Sequence, residues 1–207
     1  GSRGLFLSEH RRCYDEIIDY CNKLVYQGKL KPCRGSIRHD DKNTLKSELP
    51  AMGHFPIEVE SSEKRGSSRF NKEEAQQIVQ WIATHADKIQ STYPKEGGIE
   101  NLIGVITPFK AQAAVIKKAL PKHLKKIRVG TIHTFQGAEC RIIIISTVYG
   151  GEDGCFFIEN NKSLMNVAVS RAKDFFFVFG NRKCLLHTES STTGLLRQMT
   201  EESIAGK

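Results

Sequence analysis

The stretch GTIHTFQGAECRIIII, residues 130–145, sets His133, Thr134, Gln136, Gly137 and Glu139 directly before a run of isoleucines. An imidazole, a hydroxyl, an amide and a carboxylate so close together can hold a polar ligand, and a glycine lets a backbone come near one. The apolar run from Arg141 to Thr147 does not alternate, as expected of a strand covered on both faces. Open parallel sheets hold ligands in loops at strand ends. The cluster is therefore either a tight connector or part of a binding edge. Arg171 is a second candidate. In SLMNVAVSRAK, Leu164, Val167 and Ala168 precede it at helical spacing, which places the guanidinium on the apolar face of its helix. A permanently charged group in that position requires an anionic partner.

The elements that must carry these groups alternate in type. Apolar residues from Tyr14 to Tyr26 recur at helical spacing and stop at Gly28. Residues 31–67 form a polar, proline-bearing excursion that includes a short strand, FPIEVE, and a loop, SSEKRGSSRF. The segment NKEEAQQIVQWIATHADKI is a helix, with Asn71 as N-cap and Glu74 completing a capping box. Trp81 belongs to its buried stripe, as core rather than as a base-stacking platform. NLIGVITPF is a strand, KAQAAVIKKAL a helix, and IRVGTI and RIIIIST are strands. SLMNVAVSRAK is a helix and DFFFVFGN a buried strand. This pattern predicts an α/β fold, a largely parallel sheet with helices on both faces. The link from Ile132 to Arg141 is shorter than the dozen or so residues of a parallel crossover, so these two strands are either not neighbours or not simply parallel.

The chain's 207 residues suit one domain. Gly1-Ser2 reads as a tag scar, 3–189 as the domain and 190–207 as a tail. Lys plus Arg number 31 against 23 Asp plus Glu, a formal charge of +8, which suits a polyanion such as nucleic acid or else a plain solvated basic surface. No apolar run reaches the roughly 18 residues of a membrane helix, and no leader opens the chain. A cytoplasmic location, or a nuclear one in a eukaryote, is expected, with no membrane partner; nothing points to a homo-oligomer. The six cysteines include no C-x-x-C pair, so reduced thiols and no metal site are expected. There is no phosphate loop G-x-x-x-x-G-K-[ST], no D-E-x-x run after an apolar strand and no Ser–His–Asp pattern.

Several stretches, in order, resemble the second motor domain of superfamily 1 helicases, the branch with the RNA helicase of nonsense-mediated decay and the Okazaki-fragment nuclease-helicase. In LSEHRRCYDEIIDYCNKLVYQGKL, residues Arg12, Ile17, Tyr20, Asn22, Tyr26 and Gly28 fit the family's spacing, and Arg11 stands where the family usually has tyrosine. SSRFNKEEA is similar to its Ser-x-x-Asn-x-x-Glu-Ala pattern, and GVITPFKAQ to its Thr-Pro-aromatic–Gln segment. FQGAE and NVAVSRA resemble its Gln-Gly-x-Glu and Val-Ala-x-[ST]-Arg-Ala motifs.

The resemblance implies a RecA-like P-loop NTPase fold lacking the phosphate loop itself. ATP and Mg2+ would be held mainly by an N-terminal RecA-like domain of the same parent chain. Arg171, with Arg12 or its neighbour Arg11, would supply catalytic arginines to the γ-phosphate. Gln136, Gly137 and Glu139 would face the nucleotide. Thr107, Pro108, Phe109, His133 and Thr134 would face single-stranded DNA or RNA. Thr107–Phe109 are expected on the same sheet edge as the 133–139 cluster. Phe109 either stacks on a base or fills the core. Thr134 and Glu139 either serve ligands or cap a short turn. The alternative to a motor domain is a non-hydrolysing single-strand-binding or interaction module built on the same fold.

Overall fold

The computed structural model describes residues 9–202, so the Gly1-Ser2 scar, the domain start at residue 3 and the end of the tail lie outside it. The order is β1 (Glu9–His10), α1 (Asp15–Cys21), β2 (Lys31–Pro32), β3 (Met52–Pro56), β4 (Glu63–Arg65), β5 (Ser68–Phe70), α2 (Lys72–Thr92), β6 (Ile103–Ile106), α3 (Lys110–Ala119), β7 (Arg128–Gly130), β8 (Cys140–Ser146), α4 (Phe156–Glu159), α5 (Lys162–Ser170), β9 (Ala172–Gly180), α6 (Thr192–Met199) and β10 (Glu201–Glu202).

The central sheet has the order β10-β3-β9-β8-β6-β7, and every pairing in it is parallel. The short link between β7 and β8 now makes sense. They are not neighbours, because β6 lies between them and pairs with both. The crossovers β3→β6 and β6→β7 step one way across the sheet, while β8→β9 and β9→β10 step the other way. Right-handed crossovers therefore put α2 and α3 on one face and α5 and α6 on the other. Helix α1 packs beside α5.

Ile142 to Ile145 and Phe175 to Val178 are fully buried, as central strands covered on both sides must be. Each such side chain contributes roughly 1.5–3 kcal/mol relative to exposure. Trp81 is core, edge-on to Phe55, Phe177 and Phe179.

Four details depart from the sequence reading. SSEKRGSSRF is not a loop: β4 and β5 form an antiparallel hairpin turning at Gly66, whose φ of 60° favours glycine. The first long helix passes into a π-helical turn, Asn22–Tyr26, which ends at left-handed Gln27 and Gly28. The capping box is incomplete. Asn71 Oδ1 accepts from the Glu74 N–H, but Glu74 turns inward and Gln112 Oε1 takes the Asn71 N–H instead. Cys155 and Cys184 form a disulfide rather than two thiols, with Cα atoms 5.4 Å apart.

Within the stretch read as a tail, α6 buries Leu195 and Leu196. The Glu159 carboxylate accepts the backbone N–H groups of Thr192 and Thr193 at 3.0 Å each, satisfying donors that a helix start leaves open.

Candidate functional site

Because the sheet is parallel, its two edges can be told apart. Thr107 and Pro108 follow β6 at the carboxyl edge, and the Thr107 N–H bonds to Gly130 O at 3.0 Å. Glu139 and Arg171 precede β8 and β9 at the amino edge, where the Cys140 N–H bonds to Arg171 O at 3.0 Å. The expectation of one shared edge is corrected here. The 131–139 segment starts at the carboxyl edge and ends at the amino edge. Gly130 is level with Ile106 and thus with Ile145. Five residues of strand separate Ile145 from Cys140, about 16 Å. Phe135 anchors the crossing: it is fully buried over Gly104, where an added Cβ would collide with its ring. The opening cluster is therefore a strap joining both edges.

At the amino edge the motif residues converge. Arg12 Nε lies 3.1 Å from Glu139 Oε2, and Arg12 Nη1 donates to Ser170 O at 3.2 Å. Glu139 Oε1 lies 3.6 Å from Lys173 Nζ. Arg171 is the C-cap of α5, on the border of its buried face rather than within it. Its Nε is buried with no hydrogen-bond partner among the described residues. Arg12 and Lys173 thus share one carboxylate, two cations against one anion, so the edge is electropositive. Arg11 points elsewhere, pairing with Glu9 at 2.6 Å with its side chain 71% exposed. Burial and the Arg12 charge hold the His10 imidazole below its usual pKa, so it adds little positive charge. The neighbouring Cys13 and Cys140 thiols are pushed up to about 12 and about 11 by burial, which leaves them without nucleophilic character.

Gln136 and Gly137 are exposed on the strap. Gly137 has φ 71° with open space where a Cβ would stand, so it is there for its backbone conformation. Glu139 is engaged by two cations, and the start of the 132–135 turn has no side-chain cap, so neither Glu139 nor Thr134 caps it. His133 and Thr134 are exposed, whereas Thr107 is fully buried and Pro108 half-buried. Phe109 is buried against Tyr149 and Phe157, at ring separations of 5.5 and 5.8 Å, so it takes the core alternative.

Sequence reasoning missed the groups that hold these segments together. Asp174, 1% exposed, accepts from Tyr93 Oη at 2.6 Å and Asn43 Nδ2 at 3.2 Å, and lies 2.7 Å from Arg34 and 3.3 Å from Arg141. Arg141 also binds Glu96, whose carboxyl it holds below the usual range. A charged residue inside DFFFVFGN was the available signal, since a lone aspartate in a buried strand needs partners. Asn22 is structural: its amide brackets the Leu30 backbone at 2.9 and 3.0 Å, closing the turn after α1.

The comparisons with known proteins bear on the family and the fold. The sequence profile of the AAA domain family matches residues 2–183. The human RNA helicase Mov10l1 is 31% identical over 193 residues, covering 87% of this chain and 15% of that protein. The mouse 5'-3' DNA helicase ZGRF1 is 28% identical over 191 residues, covering 89% of this chain and 10% of that protein. The chain thus spans a small part of the curated relatives it matches. Among solved structures, the C-terminal domain of a possible DNA helicase from Lactobacillus plantarum WCFS1 superposes with a TM-score of 0.51 at 14% identity, covering 93% of this chain and 98% of that one. That likeness gives the RecA-like helicase fold. With the profile covering most of its length and superfamily 1 helicases among the relatives it matches, the chain belongs to the AAA domain family, in its superfamily 1 helicase branch.

Proposed function

We propose that this chain is the C-terminal motor domain of an ATP-dependent superfamily 1 helicase, and that Arg171 and Arg12 act on the γ-phosphate of ATP bound against an N-terminal RecA-like domain. The observation that carries this reading is the Nε of Arg171, buried without a hydrogen-bond partner among the described residues, directly after the Ser170 carbonyl that Arg12 binds. A buried donor without an acceptor is costly, and a phosphate oxygen arriving from across a domain interface would satisfy it. As the bond to the γ-phosphate breaks, charge spreads over its oxygens, and fixed guanidinium groups stabilise that charge without reorganising. Glu139 orients Arg12 for this role and offsets its charge before ATP arrives. The phosphates and Mg2+ fall to the other motor domain, so the chain alone is expected to turn over no ATP.

At the opposite edge, exposed His133 and Thr134 are offered to single-stranded nucleic acid, with Thr107 and Phe109 beneath as supports. The strap between them provides a mechanical route from strand to nucleotide. An RNA helicase and a DNA helicase are about equally similar to the chain, so both strand types remain in the proposal. The deciding experiment is steady-state ATP turnover by the parent motor with saturating single strand. Arg171→Ala should lower kcat by roughly 10³-fold, and Arg171→Lys should restore only part, because an ammonium makes no forked contact. Wild-type turnover in Arg171→Ala would show that this arginine is structural, and the motor reading of its helix would lose its main physical support.

A further inference from the structure

No recognised motif gives the 31–67 excursion a task, yet one of its side chains reaches the arginine site. Arg34 is mostly buried on the loop after β2. Its Nη1 donates to Arg12 O at 3.0 Å and to Lys173 O at 2.6 Å, and lies 2.7 Å from Asp174 Oδ1. Its guanidinium carbon stands 3.6 Å from the centroid of the Tyr14 ring. Tyr14 itself donates its N–H to Lys173 O at 3.0 Å. Arg34 therefore sits in the seam between the segment carrying Arg12 and the strand that starts directly after Arg171.

We propose that Arg34 is a positioning residue for the two-arginine site, fixing the Arg12 backbone relative to Arg171 through the Asp174 node. This rests on the reading of Arg12 and Arg171 as phosphate-facing groups. The node reaches all three segments of the site. Arg34 ties it to Arg12, Asp174 follows Arg171 on β9, and Arg141, also on Asp174, follows Glu139 on β8. A single buried carboxylate bound by two arginines, a tyrosine and an asparagine has little freedom to shift. Lysine in place of Arg34 would keep a cation for Asp174 but could not stack a plane on the Tyr14 ring. The excursion thus lends the site a brace, which explains why a polar segment buries Arg34 and Asn43 against the sheet.

The test uses the parent motor with Arg34→Gln and Arg34→Lys, and with Asn43→Ala as comparator. Asn43→Ala removes bonds to Asp174, Tyr14 and Tyr93 but leaves the Arg34 seam intact. Arg34→Gln should lower kcat for ATP by roughly 10- to 100-fold, the cost of small misplacement of a catalytic group, with KM changed only a few-fold. Arg34→Lys should fall between it and the wild type. Asn43→Ala, which loosens Asp174 without touching the seam, should lower Tm and lower kcat per folded molecule less than Arg34→Gln does. In the Arg12→Ala background, Arg34→Gln should cost much less than in the wild type, because the two act through one group. Equal losses in both backgrounds, or a lower Tm in Arg34→Gln with unchanged kcat, would overturn the proposal. Full turnover in Arg12→Ala would instead remove the reading beneath it.

Discussion

Arg12 Nε lies 3.1 Å from Glu139 Oε2, joining the loop after β1 to the end of the strap before β8. The same guanidinium donates to the carbonyl of Ser170, the residue before Arg171. One side chain thus touches the segments of three motifs. Among the described residues, Arg11 touches none of them and pairs with Glu9. The geometry therefore separates two adjacent arginines that spacing alone left open. In the parent motor, Arg12→Ala should lower kcat for ATP roughly 10³-fold, while Arg11→Ala stays within a few-fold of wild type. Equal effects of the two substitutions would show that the Arg12–Glu139 contact does not mark the functional arginine.

Glu139→Gln removes a carboxylate shared by Arg12 and Lys173. Both pairs are partly exposed, so the loss of stability should stay below about 1 kcal/mol. The loss of kcat should be larger than that implies, because an unheld Arg12 must be ordered afresh for each reaction cycle. Thermal unfolding of the variant chain and ATP turnover in the parent motor, measured side by side, would separate the two effects. A large drop in Tm with unaltered kcat would make Glu139 a structural ion-pair partner alone.

What the sequence made legible follows from how local each signal is. Unbroken apolar runs such as Ile142–Ile145 announce doubly covered strands, and the short link from Ile132 to Arg141 left two choices, strands that are not neighbours or not simply parallel, of which the structure takes the first. The buried side of α5 was misjudged by a fraction of a turn. Met165, Ala168 and Val169 are buried, with Leu164, Val167 and Arg171 at the margin. Helix periodicity fixes a stripe only to within about a residue, and the partner surfaces decide the rest. Thr107 ends a strand and Glu139 precedes one, so a parallel sheet sets them on opposite edges whatever its strand order; the expectation of one edge overlooked this. The Arg34–Asp174–Arg141 node was hidden. Its members lie far apart in the chain and have no shared spacing to read.

Glu74 illustrates such a hidden group and gives a pH prediction. It is fully buried, and its Oε1 accepts from Ser146 Oγ and from the Val148 N–H at 2.7 Å. Val148 has φ 75°, an uncommon conformation for a β-branched residue, held in place by this bond and by Asn71 Nδ2 on its carbonyl. Burial pushes the Glu74 carboxyl up to about 8. An acid with a raised folded pKa keeps its proton when the unfolded chain has lost it. The folded state then binds more protons, so stability falls as pH rises from the unfolded value near 4.5 to about 8. The full difference is on the order of 4–5 kcal/mol. Glu74→Gln should flatten this part of the profile. Denaturant unfolding at pH 5.5, 7 and 8.5 would show it as a wild-type stability that drops relative to the variant. Parallel profiles would mean that Glu74 is not the group responsible.

The last expectation concerns the carboxyl edge, where exposed and buried candidates should behave differently. His133 and Thr134 are open to solvent, while Thr107 and Phe109 are buried. The chain carries a formal charge of +8, so binding to an oligonucleotide should weaken steeply with salt as counterions are released. Fluorescence anisotropy with a labelled single strand at low and high salt measures this directly. The double substitution His133→Ala, Thr134→Ala should weaken binding with little change in Tm, since neither side chain is buried. Phe109→Ala should do the reverse in emphasis. It removes a ring packed on Tyr149 and Phe157 and should lower stability by about 3 kcal/mol or more. Any loss of affinity there should be recovered by Phe109→Leu, which keeps most of the packing but has no aromatic face to offer a base. If Phe109→Leu binds as poorly as Phe109→Ala at equal folded fraction, the ring stacks on the strand after all, and the buried position changes on binding. If the double substitution binds like the wild type, the start of the strap does not face the nucleic acid, and the mechanical route from strand to nucleotide must run elsewhere.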